Sequence, residues 1–327
     1  MTDFLLLEKL HIMIKEIPKP RLMFRKGISA EGFFRPYMSF SEYTEADMFG
    51  SFDEITPVTV RFSSMLGDKG TADTVRNIKA MGVKFHSSGG DYDMICHSLP
   101  VFFINDKDKI LSLIKALTRK EYFDGINRNE FWRFIVENPE AVNCAIRLFS
   151  HEGLSSSYIN MQWFSVNLAL WENGKGEKFP VRYKWIPIFD ESSGLSTEEK
   201  RLDRISAEFM AGFDSDRASN ELENAINSGY FPCYELYIQM MEESSISKLD
   251  EQITSCTLTW DEEANPPVAA GVMKLTGIPE EYRARNDLLS FVPGNTVKGI
   301  DIYRDEFVEL INYIYQTEAI ERGEKSW

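Results

Sequence analysis

Positive charge and histidine are scarce in this chain: 36 Lys and Arg face 51 Asp and Glu, a formal net charge of −15, and there are four histidines in 327 residues. An excess of negative charge repels phosphate backbones, and no basic stripe offsets it, which argues against a nucleic-acid partner. Four histidines leave little for a multi-histidine zinc site, and His86 and His97 stand too far apart in sequence for a local metal pair. Cysteines are equally few. Cys96, Cys144, Cys233 and Cys256 are scattered without a CxxC and read as free thiols of a cytoplasmic protein. No stretch approaches the ~20 apolar residues of a membrane span. The opening MTDFLLLEKLHIMIKEIPKP has no basic n-region and is broken by Glu8 and Lys9, so it is expected to be neither a signal peptide nor a span. The GxGxxG, GxSxG, HExxH, Walker and EF-hand signatures are missing as well.

What is abundant is large rings. The chain is 43% hydrophobic and 13% aromatic with 23 Phe, enough for a sizeable core and unlike a disordered composition. Length alone would allow two domains of ~150 residues, but no Pro/Gly/Ser-rich linker or internal repeat divides the chain, so a single domain over 1–327 is expected.

Leu6, Leu7, Leu10, Met13 and Ile14 fall on one helical face within an N-terminal arm of about 1–20, which Pro18 and Pro20 should end. Between 56 and 104 the texture changes to short β-branched and aromatic runs separated by Gly and Asp clusters, the pattern of strands joined by turns. Asp106 is placed to cap a helix over DKDKILSLIKAL, and further helices fit 129–137 and 139–149. Strands are predicted at 163–171 and 179–186, with a hairpin turn at 172–177. Ser196 and Glu199 form a capping box for a helix to about 212, another helix lies near 217–228, strands follow at 233–241 and 271–277, and a last helix runs from about 304 to 322. Without strict βαβ alternation, the pattern favours an α+β fold with an antiparallel sheet or barrel.

The informative block is 56–104, where Arg61 follows an apolar strand and precedes Phe62. Two readings of Arg61 stand: a solvated cation at a strand end, or one inside or at the mouth of the sheet that an internal anion must satisfy.

Here the sequence resembles the haem catalase superfamily. The resemblance is carried by Val60-Arg61-Phe62-Ser63-Ser64, the Gly67 turn, Ala72-Asp73-Thr74-Val75-Arg76, Val83-Lys84-Phe85 and Pro100-Val101-Phe102-Phe103-Ile104. A weaker match covers RLMFRKGISAEGFF at 21–34, and FVPGNTVKGI from 291 leads into the final helix. The resemblance implies an eight-stranded antiparallel β-barrel with packed helices and a buried b-type haem whose iron is held by a tyrosinate. Counting without gaps from 291 puts Tyr315 at the iron-ligand position and Arg322, seven residues on, at a haem-propionate position. Arg21 and Arg61 fall on the other two propionate positions, and a pair of buried carboxylates calls for such forked, charge-assisted donors. Tyr313 is the fallback ligand if the register slips by two, although a helix turns it about 200° from Tyr315.

Departures from the family pattern are equally specific. The family's distal histidine, a general acid/base, corresponds to Phe24, and its distal asparagine to His97. Ser63 would have no distal imidazole to support. Ile311 stands where the family has an arginine one turn before the tyrosine, and Ile110 where it often has a ring stacked on the haem. His97 is either a relocated acid/base or a packed imidazole with one nitrogen on a backbone carbonyl. Cys96 is either a thiolate ligand or a buried small hydrophobe. Phe102 and Phe103 are expected to line the distal cavity.

Three functions compete. The retained arginines beside a rebuilt distal side favour a haem oxidoreductase that transforms an organic substrate or organic hydroperoxide rather than an efficient hydrogen peroxide catalase. The second is a hydrogen peroxide catalase or peroxidase using His97 as acid/base, and the third a non-catalytic barrel binding haem or another apolar ligand. The expected distal pocket is Phe24, Ser63, His97 and Phe103, and the resemblance implies a homo-oligomer.

Overall fold

The computed structural model describes residues 4–16, 21–117, 128–189, 202–242, 251–279 and 286–323. Its centre is a sheet closed on itself. Strands β1 (Gly27–Pro36), β2 (Thr56–Ser64), β3 (Lys79–Ser87) and β4 (Gly90–His97) form a meander, and β4 meets the two-residue β5 (Trp163–Phe164). Two further strands, β6 (Ala169–Glu172) and β7 (Lys178–Ile188), follow as a hairpin, and β7 pairs with both β5 and β8 (Cys233–Met240). β8 pairs with β9 (Val268–Gly277), which returns to β1 and closes an eight-stranded antiparallel barrel. β6 and the short β10 (Ile300–Ile302) extend the wall beyond β7.

Alternation along the strands sorts the side chains. Val58, Val60 and Phe62 of β2, Met81, Val83 and Phe85 of β3, and Tyr92, Met94 and Cys96 of β4 point into one buried cluster with Trp163, Trp171 and Trp185. Each fully buried large apolar side chain of this kind contributes about 1.5–3 kcal/mol. The residues between them, including Arg61, Ser63, Gly82, Ile95 and His97, therefore face the other side of the wall.

A second apolar cluster covers that outer face. It is built from α1 (Phe4–Glu16), α2 (Ile110–Leu117), α3 (Arg128–Glu137), α4 (Val142–Phe149) and the last helix. Two amphipathic helices, α5 (Arg204–Phe213) and α6 (Arg217–Asn227), a single turn α7 (Glu251–Thr254) and the last helix, α8 (Glu306–Glu321), complete the elements that concern the site. No helix among the described residues is long and apolar enough to cross a membrane.

Some expectations need correction. The strand predicted over 163–171 is two strands, because the four residues Ser165–Leu168 stand opposite only Arg182 and Tyr183 of β7 before regular pairing resumes at Ala169. The helix ending near 212 begins at Arg204, capped by the Asp203 carboxylate on the Ser206 amide. Ser196, Glu199, Pro18 and Pro20 lie outside the described residues. Asp106 does cap its helix, through a 3-10 turn at Lys107–Lys109 that leads into α2.

Candidate functional site

Between the outer face of β2–β4 and helices α2 and α8 lies a cavity with two connected lobes. The larger holds about 840 Å³ of atom-free space, part of it open to solvent, and is walled mainly by apolar groups such as Met65, Phe102, Ile110, Leu113 and Ile311. The smaller is bordered by Arg21, Arg61, Ser63, Gly82 and Phe291. Met23, Phe24, Ile95, Tyr315 and Glu318 border both. Gly82 is required here, since a Cβ would lie 2.8 Å from the Phe291 ring.

The arginine end is built from three segments distant in sequence. Arg61 sits on the outer face of β2 and is 3% exposed, so it is the buried cation of the two readings, though outside the barrel wall rather than inside or at its mouth. Its Nε donates to Asn286 Oδ1 at 2.8 Å and its Nη2 to the Phe24 carbonyl at 2.9 Å. Arg21 Nη2 donates to the backbone carbonyl of Leu289, and Arg322 Nη2 to Ser290 Oγ.

Burial lowers the Arg21 pKa to about 8, helped by the repelling charges of Arg61 and Arg322 and opposed by Glu318 and Asp287. Arg61 is lowered to about 10, again mainly by burial. Two guanidinium groups, those of Arg21 and Arg61, thus border one lobe of the cavity, Arg322 lies within electrostatic reach of both, and Glu318 is a buried carboxylate at the same lobe. A cavity that is apolar in one lobe and bordered by guanidinium groups in the other fits an apolar molecule that carries carboxylates.

Helix α8 supplies Tyr315, whose ring borders both lobes and is half-buried because it faces the cavity. Burial and Glu318 push its phenol pKa up, while Arg21, Arg61 and Arg322 pull it down. Tyr313, two residues earlier, borders neither lobe. The geometry therefore brings together Arg21, Arg61 and Tyr315, with Arg322 close enough to act on the charges of all three.

On the opposite wall, the Phe24 ring is stacked on the His97 ring with centroids 5.9 Å apart, and Phe102 packs against His97 from another side at 5.7 Å. Burial lowers the His97 pKa to about 4, so the imidazole is neutral at pH 7. His97 Nδ1 has no hydrogen-bond partner among the described residues, so the backbone-carbonyl partner of the packed-imidazole reading is not found for that nitrogen. Ser63 is buried at the edge of the arginine lobe.

Phe103 does not line the cavity. It is turned into the helical cluster, edge-on to Phe131 at 5.9 Å, and Phe102 alone of the pair faces the site. Cys96 points into the barrel core, where burial raises its pKa, and it takes the role of a small hydrophobe. The sequence reading missed Cys256, Asn167 and Glu318, all at the cavity wall. Glu318 could have been found from its spacing, one turn after Tyr315 and one turn before Arg322 on a helix whose charged face should lie in solvent.

Comparisons with known proteins agree with this architecture. The family model for catalase matches residues 1–325. The chain is 32% identical to Catalase-2 of Bacillus subtilis (strain 168) over 314 residues, covering 94% of this chain and 44% of that protein. It is 32% identical to a catalase of Methanosarcina barkeri over 323 residues, covering 98% of this chain and 62% of that one. The chain thus spans about half the length of these curated relatives. A fungal catalase structure superposes with a TM-score of 0.87 at 29% identity, covering 99% of this chain and 64% of that one.

Proposed function

The chain belongs to the catalase family, and from that membership we propose that it is a haem-dependent oxidoreductase acting on an organic substrate or organic hydroperoxide. The observation that carries the reading is the polarity of the cavity, with the guanidinium groups of Arg21 and Arg61 bordering one lobe, an apolar wall that includes Phe102, Ile110 and Leu113 around the other, and Phe24 at both. Arg21, Arg61 and Arg322 would hold the two haem propionates, and Tyr315 would hold the iron. Haem supplies the redox chemistry that activates a peroxide oxygen.

The chain's own groups set what reaches that chemistry. At the family's acid/base position stands Phe24, which cannot take a proton, so assistance commonly worth ~10²–10⁴-fold is lost there. Phe24, Phe102 and Ile110 instead give the larger lobe an apolar wall, which favours a substrate with a hydrocarbon body. His97 is neutral at pH 7, and a base with pKa about 4 removes a peroxide proton weakly.

A second reading, a hydrogen peroxide catalase with His97 as acid/base, is favoured by the unsatisfied Nδ1 of His97 at the cavity wall. One experiment separates the two. The haem-loaded chain is assayed for oxygen release from hydrogen peroxide and for consumption of cumene hydroperoxide. The proposal expects a Soret band and faster turnover of the organic hydroperoxide. Rapid oxygen release instead puts the second reading first, and a chain that takes up no haem removes both. The four unpaired cysteines suit a cytoplasmic setting. We also place the chain in a homo-oligomer, which sedimentation tests.

A further inference from the structure

Glu318 places a carboxyl group where charge is expensive. It is 6% exposed, lies one helical turn beyond Tyr315 and one before Arg322 on α8, and borders both lobes of the cavity. With ~100° of rotation per residue, positions 315, 318 and 322 share one face of the helix. Its Oε1 accepts the Leu22 amide at 2.5 Å, and its Oε2 lies 3.7 Å from Arg322 Nη1. Its pKa is raised, by burial above all, with the Leu22 amide, Arg322, Arg21 and Arg25 acting in the other direction. An isolated carboxylate would not stay ionised in such surroundings, and this one is faced by guanidinium groups and a backbone donor.

Charge arithmetic gives it a purpose. Three guanidinium groups carry three positive charges, and two propionates would neutralise only two of them. We infer that Glu318 is the negative member of the cofactor clamp, a positioning residue that leaves Arg21, Arg61 and Arg322 with a net double positive charge and sets a negative charge beside the Tyr315 phenol. This rests on the haem reading above. The consequence at the ligand is electrostatic: a negative charge one turn from the phenol favours the ferric over the ferrous state, because the ferric centre carries one more positive charge.

Glu318→Gln tests this, since the amide keeps the shape and the acceptor for the Leu22 amide but removes the charge. For the haem-loaded wild type, Glu318→Gln and Glu318→Asp, the haem reduction potential, the visible absorption of the ferric form and haem affinity are measured, with circular dichroism as a check on folding. The inference expects Glu318→Gln to raise the potential, shift the phenolate-to-iron absorption and bind haem at least as tightly as wild type. Glu318→Asp should return the potential toward the wild-type value. A merely structural Glu318 predicts the opposite pattern, with haem affinity lost and the potential of any bound fraction unmoved. Either an unmoved potential or a loss of haem binding in folded Glu318→Gln overturns the inference. A wild-type chain that takes up no haem is a separate failure, that of the cofactor reading itself.

Discussion

Phe24 lies stacked on His97, ring centroids 5.9 Å apart and planes 20° off parallel, and it holds this position with a φ of 57°. It is the one non-glycine residue with positive φ among the described residues. A bulky side chain there costs on the order of 1–3 kcal/mol and persists only where its surroundings fix it. Here they do so on both sides: the Phe24 amide donates to the Met65 carbonyl at 3.0 Å, and the Phe24 carbonyl accepts from Arg61 at 2.9 Å. The arginine that would hold a propionate thus also fixes the backbone that aims Phe24 at the opposite wall.

Phe24→His should convert the site toward hydrogen peroxide chemistry. Histidine tolerates the left-handed region better than phenylalanine. It would restore an acid/base at the cavity wall without disturbing the two backbone hydrogen bonds. Oxygen release from hydrogen peroxide by the haem-loaded variant is expected to rise ~10²-fold or more over wild type. A rate equal to wild type would show that proton transfer at this position does not limit the reaction.

Tyr315 and Tyr313 provide a register check on the metal ligand. Tyr315 faces both lobes and Tyr313 neither. Tyr315→Phe is expected to abolish the phenolate-to-iron absorption of the ferric protein, and Tyr313→Phe to leave it intact. The reverse result would shift the ligand to Tyr313 and undo the placement of Arg322 seven residues after it.

How far the sequence discloses all this depends on the kind of information each feature needs. Strands β2 to β4 are legible because the face toward the barrel core is apolar while the other carries polar or small residues such as Thr59, Arg61, Ser63, Gly82 and Lys84, so large apolar residues recur at every second position. The break between β5 and β6 is not, because periodicity records which face is buried and not which neighbour a strand pairs with: both lie against β7, but β5 pairs on its other edge with β4 and β6 with β10. Phe102 and Phe103 follow the end of β4 in a segment without regular period, so nothing local says which ring faces the cavity. The charged clamp is legible only through the resemblance, since Arg21, Arg61 and Arg322 come from three distant segments. Glu318 looks like any helix-surface acid until the Leu22 amide and Arg322 are packed against it.

Arg61→Lys should separate charge from geometry. Lysine keeps the positive charge but cannot present the Nε and Nη2 donors that reach Asn286 Oδ1 and the Phe24 carbonyl together. The buried Asn286 Oδ1 then loses its donor at about 1–3 kcal/mol, and the partly buried Phe24 carbonyl at less. The apo variant is expected to unfold at lower urea concentration than wild type, and its haem affinity to fall ~10-fold or more. An affinity equal to that of wild type would show that any cation suffices at this position.

His97 should make the apo chain acid-sensitive in a defined window. Burial lowers its pKa from the ordinary 6.5 to about 4, so below pH 6.5 the unfolded chain binds a proton that the folded chain refuses. Stability is therefore full above pH 6.5 and is lost as pH falls from there toward 4, where the folded imidazole also protonates. Between pH 7 and pH 5 this single group is expected to cost about 2 kcal/mol. Urea unfolding of wild type and His97→Asn at both pH values isolates it: carboxylates that titrate in the same range contribute alike to both chains, while the histidine contributes to one. A wild-type loss no larger than that of His97→Asn would mean that the ring protonates readily in the folded chain. In that case His97 would be a stronger base toward a substrate in the cavity than its burial implies, and the hydrogen peroxide reading would gain by the same measurement.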